Sequence, residues 1–154
     1  MLLEDLLLQH GQSLHQTFTL GKEQVCSLQV GEDIVINISP ACEKSFFFYS
    51  ELCDLSSNED ILARLMEAHL FGIETADAVF SVDCKSKKII IHQRVLLQDL
   101  CYNQYIELFQ AFTGTTLHWK EKIPNIRKEF FSNKFSLENH LKDLRNQDIR
   151  VIMV

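Results

Sequence analysis

Between residues 46 and 97 the hydrophobic period changes from strand-like to helical and back, with no catalytic motif in between. FFFYSELC at 46–53 has the aromatic content and alternation of a strand, and Ser56, Ser57 and Asn58 then interrupt it with polar turn residues. A helix is expected next. Ser56 with Glu59, or Ser57 with Asp60, has capping-box spacing, and Ile61, Leu62, Leu65, Met66 and His69 recur on one side at helical period. Gly72 suits the left-handed position that ends such a helix. AVFSVDC at 78–84 and KIIIHQRVL at 88–96 restore β-branched content, and Lys85, Ser86 and Lys87 make a link short enough for a hairpin. The surplus of large apolar side chains in this stretch suits a surface that meets another polypeptide.

The flanking sequence extends the pattern. Leu3, Leu6, Leu7, His10 and Leu14 lie at helical spacing, with Leu2 and Leu8 widening the apolar arc. Gly11 weakens that helix by up to about 1 kcal/mol, so it needs a surface to dock on. QVCSLQV at 24–30 and DIVINIS at 33–39 are β-rich and separated by Gly31 and Glu32, a two-residue turn of hairpin type. Pro40 is expected to end the second strand because it has no amide to donate. With residues 46–53 these form a three-stranded meander. Asp99 is placed to cap a helix over 101–120, whose Tyr102, Tyr105, Ile106, Leu108, Phe109, Phe112 and Trp119 give a broad apolar face. Gly114, Thr115 and Thr116 are candidates to fray or kink it, and Pro124 is expected to stop it. Beyond lie a charged segment at 136–145 with Leu137, Leu141 and Leu144 in phase, and an apolar end, IRVIMV.

The order α-β-β-β-α-β-β-α plus a C-terminal extension predicts an α+β fold with a twisted, mostly antiparallel sheet and helices on one face. A single domain over 1–124 and an extension over 125–154 are expected, and 154 residues suffice for a core without disulfides or metals. The 46% apolar and 23% charged content excludes a largely disordered chain. Formal charge is −6 and uneven: residues 125–154 hold six Lys/Arg and four Asp/Glu, which leaves −8 on residues 1–124. So acidic a body argues against nucleic acid as a partner.

Cys26, Cys42, Cys53, Cys84 and Cys101 form no CxxC pair and no zinc-spaced set, and read as buried free thiols in a reducing cytoplasm. The leucine-rich start carries Glu4 and Asp5 where a signal sequence needs basic residues, and no segment approaches the roughly 18 apolar residues of a membrane span.

Catalytic chemistry finds no support. The five glycines stand alone, so no phosphate loop is present, and GxSxG and HExxH are absent. His69 reads as a helix-terminal cation, Cys101 as a buried thiol rather than a nucleophile, and the Glu59/Asp60 and Glu74/Asp77 pairs as solvated carboxylates. No catalytic residue, metal site or cofactor is expected.

Residues 3–122 resemble the class I type III secretion chaperones, the Tir-chaperone family of Gram-negative bacteria. The likeness rests on the Leu-rich first helix, the VCSLQV and DIVINI strands, FFFYSELCDL leading into DILARLMEAHLFG, the AVFSVD/KIIIHQRVLL hairpin, and a last helix, YIELFQAFTGTTLHWKEKI, with Trp near its end. FGIETAD stands where a glycine-rich turn often follows the second helix, and the tail beyond Pro124 is longer than the pattern requires. The resemblance implies ATP-independent binding, in the bacterial cytoplasm, of the N-terminal region of a secreted effector, which is kept extended and secretion-competent. It also implies a homodimer, or one half of a heterodimer with a related chaperone, whose interface surrounds the second helix and the following hairpin. Leu62, Met66, Leu70 and Val79 are the candidates there, and Leu3, Leu6, Leu7, Ile34, Ile36, Phe46 and Phe48 are the candidates for effector contact. Alternation puts Ile34, Ile36 and Ile38 on one face and Val35 and Asn37 on the other, and likewise separates Phe46 and Phe48 from Phe47 and Tyr49. A regulatory protein acting on a secretion or transcription component, with the tail as effector, is the alternative; a small-molecule site would need a pocket with converging polar groups.

Overall fold

Leu3, Leu6, Leu7 and His10 give the first helix, α1 (Leu3–Ser13), one apolar stripe, and all four are buried in the computed structural model. The structure describes the backbone of residues 2–55 and 61–146 and the side chains of residues 2–55 and 61–129. The expected capping pairs at 56–60 and the apolar end at 149–154 lie outside the described residues.

Asp5 accepts the Leu2 amide at 3.1 Å ahead of α1, and the Gly11 carbonyl accepts the Leu14 and Gln16 amides at 3.0 and 2.8 Å after it. A Cβ on Gly11 would stand 2.6 Å from the Gln16 carbonyl oxygen, so the reversal of the chain requires glycine there.

Among the described residues five strands follow: β1 (Cys26–Val30), β2 (Ile34–Cys42), β3 (Ser45–Asp54), β4 (Val79–Asp83) and β5 (Lys88–Leu96). All pairs are antiparallel in the order β1-β2-β3-β5-β4, so β5 sits against β3 and leaves β1 and β4 at the edges. Two local expectations are corrected. Val30 pairs with Ile34, so Gly31, Glu32 and Asp33 make a three-residue link, with Gly31 at φ +64°. Pro40 does not end β2, because a register shift between Pro40 and Cys42 forms a bulge that needs no proline amide.

The second helix, α2 (Leu62–His69), passes into a 3-10 turn at Leu70–Gly72. Gly72 takes the left-handed conformation expected of it at φ +67°, and Phe71 beside it is also left-handed at φ +55°. The third helix, α3, runs Tyr102–Asn146. Its start corrects the expected cap: Asp99 sits at φ +57° in the preceding turn, and Gln104 Oε1 accepts the Cys101 amide at 3.0 Å instead. Thr113 and Thr116 bond back to carbonyls four residues earlier, so the Gly-Thr-Thr stretch stays helical. Pro124 does not stop the helix but lies inside it. Ile123 and Ile126 are buried on either side of Pro124, and that packing offsets the lost amide, a loss on the order of 3 kcal/mol.

Helices α1, α2 and α3 cover the same face of the sheet. Phe48 touches Phe46, Tyr105, Phe109 and Phe112 at centroid distances of 5.1 to 5.8 Å, and Phe80 meets Trp119 edge-on at 4.9 Å. His10 Nδ1 lies 3.1 Å from the Tyr105 hydroxyl, joining α1 to α3. Burial holds the His10 imidazole below its ordinary range and pushes the Tyr105 phenol up.

Candidate functional site

Strand alternation dictates what the uncovered face of the sheet carries. Ile34, Ile36, Ile38, Phe46 and Phe48 point into the helices, so Val35, Asn37, Ser39, Phe47 and Tyr49 point outward. Register then aligns Asn37, Tyr49, His92 and Val79 in one row and Ser39, Phe47 and Arg94 in the next. Ser39, Phe47, Tyr49, Ile90 and His92 line a shallow, mainly apolar groove of about 350 Å³ on this face.

The groove has fixed walls. Phe47 meets the His92 ring edge-on at 5.6 Å, and Ser81 Oγ lies 2.8 Å from His92 Nε2. His92 Nδ1 is shielded with no hydrogen-bond partner among the described residues, and burial, with the nearby His69, lowers the imidazole's pKa. At one end Arg94 donates to Ser45 Oγ at 3.1 Å and reaches Cys42 Sγ at 3.6 Å. The Ser45 hydroxyl at 3.1 Å, the Lys44 amide and Arg94 together bring the exposed Cys42 thiol down to about 7.

Two further clefts flank α1. One of about 490 Å³ runs between Leu2, Leu3, Pro40, Cys42 and Leu97, and the other, about 430 Å³, between Leu7, Leu8, Phe18 and Leu20. Leu2 and Leu8 are more than half exposed at their rims. Beside the second cleft, β1 pairs only with β2, which leaves a sheet edge among the described residues.

A third apolar surface surrounds α2. Met66 and Leu70 are 52% and 55% exposed, and the 3-10 turn after them lifts Phe71 to 91% and Ile73 to 77%. Glu74 anchors this lip: its carboxylate takes Arg64 of α2 at 2.9 Å and Lys122 of α3, while its carbonyl accepts Trp119 Nε1 at 3.0 Å. Both cations hold the Glu74 carboxyl below its usual range.

These positions revise the candidates read from sequence. Leu3, Leu6, Leu7, Ile34, Ile36, Phe46 and Phe48 are all buried in the monomer, because the helices dock on the Ile34/Phe46 face. They form the floor beneath the surface rather than the surface, except that Leu3 and Leu7 also border the α1 clefts. Phe47, Tyr49, Ile90 and His92 were missed. A signal for them existed: in DIVINIS the isoleucines alternate with Val35, Asn37 and Ser39, and the more polar set faces water. Of the α2 candidates, the structure brings Met66 and Leu70 together, while Leu62 packs partly into the core and Val79 faces the other side of the sheet. The cysteines are corrected as well. Cys26 is buried and Cys53 half-buried, but Cys42, Cys84 and Cys101 are exposed, since Cys42 falls at the Pro40 bulge and the others in links between elements. Among the described residues no group of three or more His, Cys, Asp or Glu could hold a metal ion, and no helix is long and apolar enough to cross a membrane.

Comparison with known proteins extends this picture. A chain of the ExsC–ExsE complex superposes with a TM-score of 0.68 at 15% identity, covering 78% of this chain and 92% of its own. A chain of the HopA1–SchA chaperone–effector complex gives 0.61 at 16% identity, with 78% and 91% covered. The ExoT–SpcS complex of Pseudomonas aeruginosa gives 0.54 at 19%, with 75% and 94% covered. At these identities the likeness establishes the fold. No curated protein matches the sequence. The family model for the Tir chaperone protein (CesT) family matches residues 1–120, more than three quarters of the chain, and the protein belongs to that family.

Proposed function

We propose that this protein is an ATP-independent chaperone of type III secretion, acting in the cytoplasm of a Gram-negative bacterium as a binding protein and not as an enzyme. It holds the N-terminal region of a secreted effector extended and soluble. The observation that carries this reading is the uncovered sheet face, where Phe47, Tyr49 and Ile90 line an apolar groove that the chain's own helices leave open. An unfolded segment can lay apolar anchors in such a groove and in the two clefts beside α1, and can add a strand along β1. Ordering a disordered client costs several kcal/mol, so binding requires several dispersed sites, as are present here. Residues 1–124 form the binding domain in this reading, with Leu3, Leu6, Leu7, Ile34, Ile36, Phe46 and Phe48 supporting the surface from beneath. Membership of a chaperone family and the likeness to the chaperone–effector complex support the assignment.

Dimerisation through the α2 lip completes the proposal. Met66, Leu70, Phe71 and Ile73 form an apolar surface suited to a two-fold interface, with Leu62 beneath it and Val79 on the nearby edge strand.

The test is purification from the native host followed by limited proteolysis of whatever accompanies the protein. A protected fragment of tens of residues from the N-terminal region of a secreted protein supports the reading. Copurification with no secreted protein, from cells whose secretion system is expressed, refutes it.

A further inference from the structure

The open face of the sheet carries a cation that the fold leaves unbalanced. Alternation along β5 puts Lys88, Ile90, His92, Arg94 and Leu96 on that face, each roughly 6.7 Å from the next. Lys88 is offset by Asp54 at 2.9 Å and Glu51 at 3.7 Å. Arg94 has no carboxylate within 4 Å among the described residues; Glu4, Glu43 and Lys44 line the adjoining cleft beside α1 instead. Its pose is nevertheless fixed. Nε donates to Ser45 Oγ at 3.1 Å, Ser45 is buried, and one Nη reaches Cys42 Sγ at 3.6 Å. On a body that carries −8 over residues 1–124, this guanidinium is a local reversal of sign. Apolar surface lies on both sides of it. Leu96, two residues along the strand, is 62% exposed on the same face, and the groove lined by Phe47, Tyr49, Ile90 and His92 begins at Phe47, the cross-strand neighbour of Arg94.

We propose, resting on the chaperone reading above, that Arg94 binds a carboxylate of the client, and that the recognised segment is extended, with an aspartate or glutamate flanked two residues to either side by apolar side chains. An extended client lying along β5 has the same repeat of roughly 6.7 Å, so its alternate side chains fall in turn on Leu96, on Arg94 and on the Phe47–His92 groove. Ser45 and Cys42 occupy Nε and one Nη of the guanidinium, which leaves the end formed by its two Nη groups to take a carboxylate through two parallel hydrogen bonds. Apolar client residues seated to either side exclude water from that pair and strengthen it. A lysine or arginine at the same client position meets Arg94 as a like charge, so the site rejects basic segments as well as selecting acidic ones.

Fluorescence anisotropy with capped, labelled peptides tests this on the full protein. In one probe leucine, aspartate and leucine alternate with threonine; in two others asparagine or lysine replaces the aspartate. The measurement is made at pH 6, where the Cys42 thiol, at about 7, is mostly uncharged and does not compete for Arg94. The aspartate peptide should bind about fivefold more tightly than the asparagine peptide, and the lysine peptide more weakly than either. Arg94→Gln should erase the difference with the thermal midpoint shifted by no more than about 3 °C, Arg94→Glu should reverse it in favour of lysine, and high salt should shrink it. Three peptides that bind alike or not at all, or a preference that survives Arg94→Gln, would overturn the proposal. The protease-protected effector fragment separates this outcome from failure of the chaperone reading. A fragment that binds the full protein and Arg94→Gln equally, while Phe47→Ala weakens it, would overturn the charge recognition and leave the chaperone reading standing.

Discussion

Replacing Phe48 and then Phe47 with alanine sets two adjacent residues of the same strand against each other. Phe48 is fully buried and packs against four aromatic rings, so its removal loses the transfer energy of a whole phenyl group and leaves a cavity. That costs about 4 kcal/mol. Phe47 is half-buried, with one ring contact to His92, and about half of its transfer energy, roughly 1 kcal/mol, is at stake. With a urea slope of about 2 kcal/mol per molar, the midpoint should fall by about 2 M for Phe48→Ala and about 0.5 M for Phe47→Ala. Binding should reverse the order. Measured by calorimetry with the protease-protected effector fragment, Phe47→Ala should weaken affinity about tenfold, a loss of about 1.4 kcal/mol. Phe48→Leu, which still folds, should bind within about threefold of the parent, a difference near 0.6 kcal/mol. A larger midpoint shift for Phe47→Ala than for Phe48→Ala would refute the assignment of the two faces.

Three further outcomes follow from the same geometry. Burial holds His10 and His92 below their ordinary value of 6.5, so folding favours the neutral imidazoles; stability is complete above that value and is lost as pH falls through the lowered pKa values, and glutamine at both positions should flatten urea midpoints compared at about pH 8 and about pH 5.5. The Cys42 thiol at about 7 should react with iodoacetamide at neutral pH at least tenfold faster than Cys53, which burial pushes up to about 11, and Arg94→Ala should slow it, as mass-mapped labelling will show. Gly11→Ala should destabilise by about 1 kcal/mol or more, against helix propensity, while Gly114→Ala, with nothing within 4 Å of the new Cβ, should stabilise by about that amount in thermal melts.

The parts of this fold that could be read from sequence are those set by local period. The alternation of DIVINIS, the β-branched run KIIIHQRVL and the 3–4 spacing of Leu3, Leu6 and Leu7 each specify an element whatever surrounds it. What escaped is decided by contacts distant in sequence. Pro124 reads as a helix stop, yet burial of Ile123 and Ile126 carries α3 through it. Pro40 reads as a strand end, yet the register of β3 turns it into a bulge. The pairs Phe46/Phe48 and Phe47/Tyr49 are equally aromatic in the sequence, and only the docking of α3 distinguishes them. The seven candidates for effector contact are therefore buried in the monomer, on the sheet face and helix stripe that pack against each other.

The one-residue offset between buried and open side chains explains how the protein can present apolar surface without sacrificing its fold. In a sheet covered by helices on one side, alternate residues serve different layers, so the core face can be filled completely while the other face remains open. Here the open face is kept from becoming a wide apolar patch by Asn37, Ser39, Glu51 and Arg94, which surround Phe47, Tyr49 and Ile90. A client that covers those three residues supplies a third layer, and one that pairs with β1 supplies a sixth strand. Neither requires a helix to move, since His10 and Tyr105 keep α1 joined to α3 behind the sheet. In the proposed reading affinity can then be adjusted at Phe47, Tyr49 or Ile90 at a stability cost near 1 kcal/mol, whereas truncating the fully buried Phe48, one residue away, costs about 4 kcal/mol.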